Sequence, residues 1–318
     1  MAGQDETMAR WTVSRRRLMR FLGAAALAWG PIGATTGAQP APSRRIRWAA
    51  GWLLWRDYKG LTFTLAAALQ DLRQAGADGI EFTPRPGELE AAGLTMDAVR
   101  AMLRDAGLAV SAHYFSGPFH DPAKRADIMA QAREKIESLR AFGAVNMVIG
   151  PPAPPAGLSR SDAIARIAPV LDDVGRLARA SGIAIGIHPH LNTVIETPEE
   201  TDAILERCDP SLVGLALDTG HVHLAGGDVV AVLKKHGKRL NYLHFKDAVR
   251  PFARPDFFPN LRDLGKGEVD FPAVMRTLND LKYTGWINVE QDFTSTSPGT
   301  SCRVSMAYVR DVLRPIYS

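Results

Sequence analysis

Eight short apolar runs of β-type composition alternate with amphipathic helical stretches through most of this chain, and no other feature restricts its fold as strongly. The runs cover residues 46–55, 79–83, 108–115, 145–150, 183–188, 212–218, 240–245 and 286–290. The helical patterns between and after them fall at 61–74, 95–105, 122–142, 161–180, 198–207, 228–236, 271–281 and 301–313. Eight β/α units, repeating every 25 to 45 residues or so and totalling close to the ~250 residues usual for that fold, predict an α/β protein with a closed (β/α)8 TIM barrel. The competing doubly wound open sheet would place a glycine-rich phosphate loop after its first strand. Gly51-Trp52-Leu53-Leu54-Trp55 holds a single glycine there. At 318 residues and 46% hydrophobic composition, the chain can build one large core, assigned to residues 46–318.

The last four runs end in side chains that bind metal ions: His188-Pro-His190, Asp218-Thr-Gly-His221, His244-Phe-Lys-Asp247 and Glu290-Gln-Asp292. Residues two apart on a strand share a face. Gly214 and Ala216 therefore lie with Asp218, Gly186 with His188 and His190, Tyr242 with His244 and Lys246, and Asn288 with Glu290. Four strands thus aim polar groups inward at the end of the barrel where such folds place their chemistry. His188, Asp218, His244 and Glu290 are the expected ligands of one divalent ion, with His190 as the alternative to His188. Two carboxylates with two imidazoles suit Mn or Co, with Zn and Fe open, better than Mg, which prefers an all-oxygen set. His221 is expected to hold a ligand or a metal-bound water. Glu81 and His113, ending the second and third runs, and Trp52 and Trp55, after the first, are expected to line a substrate pocket, although core packing would also account for them. His120, His223 and His236 read as solvated.

In this order, the segments Leu217-Asp-Thr-Gly-His221, His244-Phe-Lys-Asp247, Gly265-Lys-Gly-Glu-Val-Asp270 and Gly285-Trp-Ile-Asn-Val-Glu290 resemble the xylose isomerase-like barrel superfamily over residues 48–313. That superfamily includes sugar isomerases and epimerases, inosose dehydratases and endonuclease IV. Its epimerases commonly use Glu, Asp, His and Glu as ligands. Here His188-Pro-His190 stands where the first Glu would be, and this segment and the Glu290-Gln-Asp ending are more similar to inosose dehydratases.

The resemblance implies a metal-dependent enzyme acting at a carbon acid beside the carbonyl of a keto-sugar or cyclitol. Such a proton is removable only if the developing charge is stabilised. Glu290 or His190 is the expected base, and Lys246 or a histidine the expected acid; a structural ion pair with Asp247 or Asp218 is the other reading of Lys246. Loss of a β-oxygen substituent would make a dehydratase or lyase, favoured over an isomerase or epimerase working through an enediolate. A non-catalytic periplasmic sugar-binding barrel is a further alternative. A phosphodiester hydrolase like endonuclease IV would need more histidines, and none follows His244. The connection 248–266, with Pro251, Pro255, Phe257, Phe258 and Pro259, has the length of a lid. Its Arg250, Arg254 and Arg262, with Lys266, read as a solvated basic loop.

The first 38 residues stand apart. Ser14-Arg15-Arg16-Arg17-Leu18-Met19-Arg20, an apolar stretch and the small-residue site Thr36-Gly37-Ala38 resemble a twin-arginine export signal, followed by a Pro/Ala-rich linker at 39–45. A periplasmic address follows, with no membrane attachment after processing. Most of the formal charge of +4 lies in this segment, so neither nucleic acid nor an acidic surface is an expected partner. Cys208 and Cys302 lack metal-type spacing and read as unpaired thiols.

Overall fold

A computed structural model describes residues 46–56 and 64–317. The expected export signal and linker lie outside the described residues. Eight parallel strands close into a barrel: β1 (Arg47–Gly51), β2 (Gly79–Glu81), β3 (Ala109–Ser116), β4 (Asn146–Gly150), β5 (Ala184–Ile187), β6 (Val213–Asp218), β7 (Leu240–Phe245) and β8 (Trp286–Val289). Closure comes from β1, which pairs with β2 through Ala49↔Gly79 and with β8 through Arg47↔Trp286. Among the described helices are α1 (Leu53–Arg56), α2 (Leu65–Ala75), α3 (Glu88–Ala91), α4 (Met96–Ala106), α5 (Arg125–Phe142), α6 (Arg160–Arg179), α7 (Pro198–Arg207), α8 (Thr219–Leu224), α9 (Val229–His236), α10 (Phe271–Asp280) and α11 (Pro298–Tyr308). None is long and apolar enough to cross a membrane.

The helices start where side-chain acceptors meet free N–H groups. Thr64, Thr95 and Ser159 cap α2, α4 and α6, and Thr197 forms a reciprocal capping box with Glu200 on α7. Their buried faces join the outward faces of the strands in one apolar layer that includes Leu69, Ile80, Ile128, Ile164, Leu215, Phe245 and Phe271. Cys208 and Cys302 are buried in that layer and unpaired.

Inside the barrel, the floor is filled by Ala49, Ala112, Val148, Ala216, Tyr242 and Trp286. Gly79 is required beneath the Trp286 ring, since a Cβ there would lie 2.7 Å from a ring carbon. Asn241 is an extra residue in β7, produced by a register shift against β6 between Leu215 and Ala216. It lies over Gly186 and Gly214, where any Cβ would collide with it. The floor is therefore solid, and the open end of the barrel is at the carboxyl ends of the strands.

Two expectations need correction. The first strand stops at Gly51 instead of continuing to Trp55. The chain then turns into α1, which drives Trp55 beneath α2, where its Nε1 donates to Asp71 Oδ2 at 2.9 Å. Trp55 is a fully buried core residue and not a pocket residue. On β3, a register shift against β2 between Ile80 and Glu81 makes Ser111 an extra residue, which reverses the face of everything after it. His113 therefore points out toward α5, bonding Ser138 Oγ at 2.9 Å and packing edge-on against Phe142, while Tyr114 takes the inward place.

Candidate functional site

The Asp-Thr-Gly-His turn after β6 explains the placement of two strands at once. Asp218 Oδ1 accepts the His221 N–H at 2.9 Å and caps α8, leaving Oδ2 turned into the barrel. Thr219 Oγ1 donates to the Lys246 carbonyl at 2.8 Å and accepts the Lys246 N–H at 2.9 Å, fastening this turn to the end of β7. Gly220 leaves room for the Lys246 side chain, whose Cγ would lie 2.7 Å from a Cβ at that position. His221 Nε2 then accepts from Lys246 Nζ at 3.0 Å. Asp247, on the opposite face, accepts backbone N–H groups from Ala248, Gly265, Gly267 and Val269 and anchors the Gly265-Lys-Gly-Glu segment.

His188, Asp218, His244 and Glu290 converge, each offering an atom within 4.8 Å of the others, and all four are buried. The Nδ1 atoms of His244 and His188 face each other at 3.0 Å, and Glu290 Oε2 lies 3.0 Å from His244 Nδ1. Asp218 Oδ2 and Glu290 Oε2 accept no hydrogen bond among the described residues. Lys246 Nζ does lie within ion-pair range of both, but without hydrogen-bond geometry. Two buried carboxylate oxygens that accept no hydrogen bond among the described residues and two imidazole nitrogens, all pointed inward, fit a divalent cation with bonds of ~2.1 Å. A carboxylate also braces this set: His244 Nε2 donates to Glu81 Oε2 at 2.6 Å, which fixes the ring and leaves Nδ1 facing the cluster.

The electrostatics follow from burial against charge. Burial alone would depress His244, but Glu290, Glu81 and Asp218 together outweigh it and hold the imidazole at about 9. Burial pushes Glu290 upward, against the nearby positive charge of His244 and Lys246. Lys246 is raised well above its ordinary value, because Asp218, Asp292 and Glu290 outweigh its burial. His188, His190 and His221 are all lowered, chiefly by burial, and are neutral. His188, His190 and His221 form a second close trio. It contains no carboxylate and has the Lys246 ammonium 3.0 Å from His221, so it suits a second dication poorly.

A cavity of about 610 Å³ opens above the cluster. His188, Glu290, Glu81, Trp52 and His190 line it, together with Tyr114, Asn192, Phe257 and Asp292. His190 Nδ1 donates to the Leu191 carbonyl at 2.7 Å, which leaves Nε2 as a free acceptor. The segment after β7 forms one wall. Asp247–Ala248 pairs antiparallel with Leu261–Arg262, Phe257 packs edge-on against His190, and Asn192 Nδ2 donates to the Pro255 carbonyl at 2.9 Å. Arg254 of this segment is exposed, as expected, and pairs with the buried Glu196.

A profile described as Xylose isomerase-like TIM barrel matches residues 69–311. The chain belongs to this family. Two relatives named inosose dehydratase match it in part. That of Salmonella agona is 35% identical over 133 residues, 38% of this chain and 44% of the relative. That of Bacillus velezensis is 33% identical over 157 residues, 44% and 51% respectively. The matched stretch thus spans about half the length of these curated relatives. Solved structures share the fold at lower identity. The IOLI protein with a binding zinc atom gives a TM-score of 0.74 at 17% identity, covering 86% of this chain and all of that one. A 3-keto-D-glucoside 4-epimerase from E. coli gives 0.66 at 17%, covering 84% and 99%.

Within this xylose isomerase-like barrel, the expected pocket residues divide. Trp52 and Glu81 line the cavity, whereas Trp55 and His113 do not. His221 and Lys246 are buried behind the lining rather than on it. Lys246 pairs with Asp292 at 2.8 Å and, as the structural reading expected, with Asp218 at 3.2 Å, but not with Asp247. Of the histidines read as solvated, His223 is buried and bonded to Glu268, His236 is half-buried and bonded to Asp202, and His120 is half-buried, its Nδ1 without a hydrogen-bond partner among the described residues. Tyr114 and Asp292 were not singled out by the sequence as pocket residues. Only the bulge at Ser111 turns Tyr114 inward, whereas Asp292 shares the parity of Glu290 and could have been read from it.

Proposed function

We propose that this chain is a divalent-metal-dependent enzyme that removes the proton α to a carbonyl of a keto-sugar or inosose and then expels a β-oxygen substituent, as a dehydratase or lyase. The observation that carries this reading is the inward convergence of His188, Asp218, His244 and Glu290 beneath the cavity, with two carboxylate oxygens accepting no hydrogen bond among the described residues. The partial match to inosose dehydratases favours elimination, and the zinc named with the IOLI structure favours a divalent ion in this kind of barrel. His188, Asp218, His244 and Glu290 would hold the ion, with Mn or Co ahead of Zn, Fe and Mg. When bound, it supplies polarisation of the substrate carbonyl and stabilises the charge that develops on proton loss.

His190 is assigned as the base. Its neutral ring presents Nε2 to the cavity with Nδ1 tied to the Leu191 carbonyl. Nε2 takes the α-proton, the C–H pair forms the new C=C bond, and the imidazolium returns the proton to the departing oxygen, which leaves as water or an alcohol. Glu290 shares the cavity wall and is the alternative base. Lys246, charged, hidden behind the lining and shared among three carboxylates, is better placed to hold charge than to release a proton. Trp52 and Phe257 offer apolar faces to the C–H side of a ring. The resemblance of residues 14–38 to an export signal supports a periplasmic address, and with it an unphosphorylated sugar or cyclitol as substrate.

Incubation of the metal-loaded protein with an inosose, ketoses and 3-keto-glycosides in D2O tests the proposal. A UV-absorbing enone, lost in His190→Ala although the variant still binds metal, supports elimination. A new ketose or epimer carrying deuterium makes the enzyme an isomerase or epimerase. Absence of metal-dependent exchange with every substrate overturns the enzymatic reading and leaves a sugar-binding barrel.

A further inference from the structure

The ammonium of Lys246 occupies a place that a bound dication would contest. It lies 3.2 Å from Asp218 Oδ2 and 3.4 Å from Glu290 Oε2, the two carboxylate oxygens that accept no hydrogen bond among the described residues. It also has two partners outside the proposed ligand set, Asp292 Oδ2 at 2.8 Å and His221 Nε2 at 3.0 Å. The side chain is 1% exposed, and its stem runs against Gly220, so it has little freedom to swing away. Resting on the metal reading above, we infer that Lys246 sets the metal affinity of this site. It is a tethered cation that holds Asp218 and Glu290 in place before a dication arrives, and it must then yield both and retire onto Asp292 and His221.

The geometry fixes the direction of the effect. An ion bonded to Asp218 Oδ2 at ~2.1 Å can be no more than about 5 Å from Nζ. A single and a double positive charge at that separation repel each other by enough to weaken binding about tenfold even with water-like screening. Asp292 acts the other way. It has no place among the converging ligands, yet it supplies the ion pair onto which the ammonium withdraws.

Calorimetric titration of metal-free full-length protein with Mn, Co and Zn ions tests this without any substrate. Lys246→Met, which keeps the stem and removes the charge, is expected to bind at least tenfold more tightly than wild type, and Lys246→Arg to show no such gain. Asp292→Asn, which leaves the ammonium only Asp218 and Glu290 as carboxylate partners, is expected to bind several-fold more weakly. This second variant decides the matter if Lys246→Met does not fold. Equal or weaker binding by folded Lys246→Met, or unchanged binding by Asp292→Asn, overturns the assignment. If wild type and all variants bind none of the three ions, the metal reading itself fails and takes this inference with it.

Discussion

Replacing Asp247 by asparagine should damage the scaffold of the site without touching the converging cluster. The carboxylate is fully buried and accepts four backbone N–H groups: Ala248 at 2.9 Å and Val269 at 3.2 Å on Oδ1, Gly265 at 2.9 Å and Gly267 at 2.8 Å on Oδ2. Gly267 comes so close that a Cβ would lie 2.2 Å from Oδ1. Asn keeps the shape but turns one oxygen into an NH2 group, so two of the four N–H groups face a donor. Hydrogen bonds to a charged acceptor are worth about 1.5–3 kcal/mol each, and losing two costs about 3–6 kcal/mol. Part of this is offset. Burial lifts the Asp247 carboxyl above its ordinary range, against the four N–H groups that lower it, so its ionisation works against the folded state. That penalty is absent below the unfolded carboxyl pKa and complete once the pH exceeds the raised folded value; at neutral pH the wild type carries it and asparagine does not. The net loss should be about 2–4 kcal/mol, or ~4–7 °C in Tm for a domain of this size. Urea unfolding and thermal scans at pH 7 measure it. A loss below about 0.5 kcal/mol would mean that the segment after β7 is held by something other than this carboxylate.

Four further outcomes are expected. His188→Ala should weaken Mn, Co or Zn binding by about 100-fold or more, whereas His190→Ala should leave it within about threefold, because only His188 belongs to the converging four; titration of both variants distinguishes a ligand from a base. His244 holds its proton up to about 9, and a ligand nitrogen must be free, so metal affinity should rise by up to about tenfold per pH unit from 7 toward 9 with proton release, levelling off above it; titration in buffers of different ionisation enthalpy would show this, and a flat profile would refute it. Gly220→Ala should cost about 1–3 kcal/mol by overpacking Lys246, read from unfolding curves, and His113→Phe should leave metal affinity unchanged because that side chain faces α5.

The strand ends were legible because side-chain parity holds along an unbroken strand. His188, Asp218, His244 and Glu290 each follow small or floor-forming residues of the same face, and the barrel brings them together. Parity failed at β3, where Ser111 adds one residue and exchanges His113 for Tyr114. Nothing in an apolar run announces such a bulge, since it is stabilised by pairing with β2 rather than by local composition. Trp55 was misplaced for a related reason: Gly51 ends the strand, and a helix starting at Leu53 shares its apolar composition. The brace from Glu81 to His244 joins residues distant in sequence and is visible only once the barrel closes.

Asp218 divides its two oxygens between the fold and the chemistry, one starting α8 and the other facing the barrel interior. A descendant released from selection for activity would still be selected to keep this aspartate, because the turn into α8 depends on it. Glu290, whose inward oxygen accepts no hydrogen bond among the described residues, caps no helix and would be the first of the four to drift.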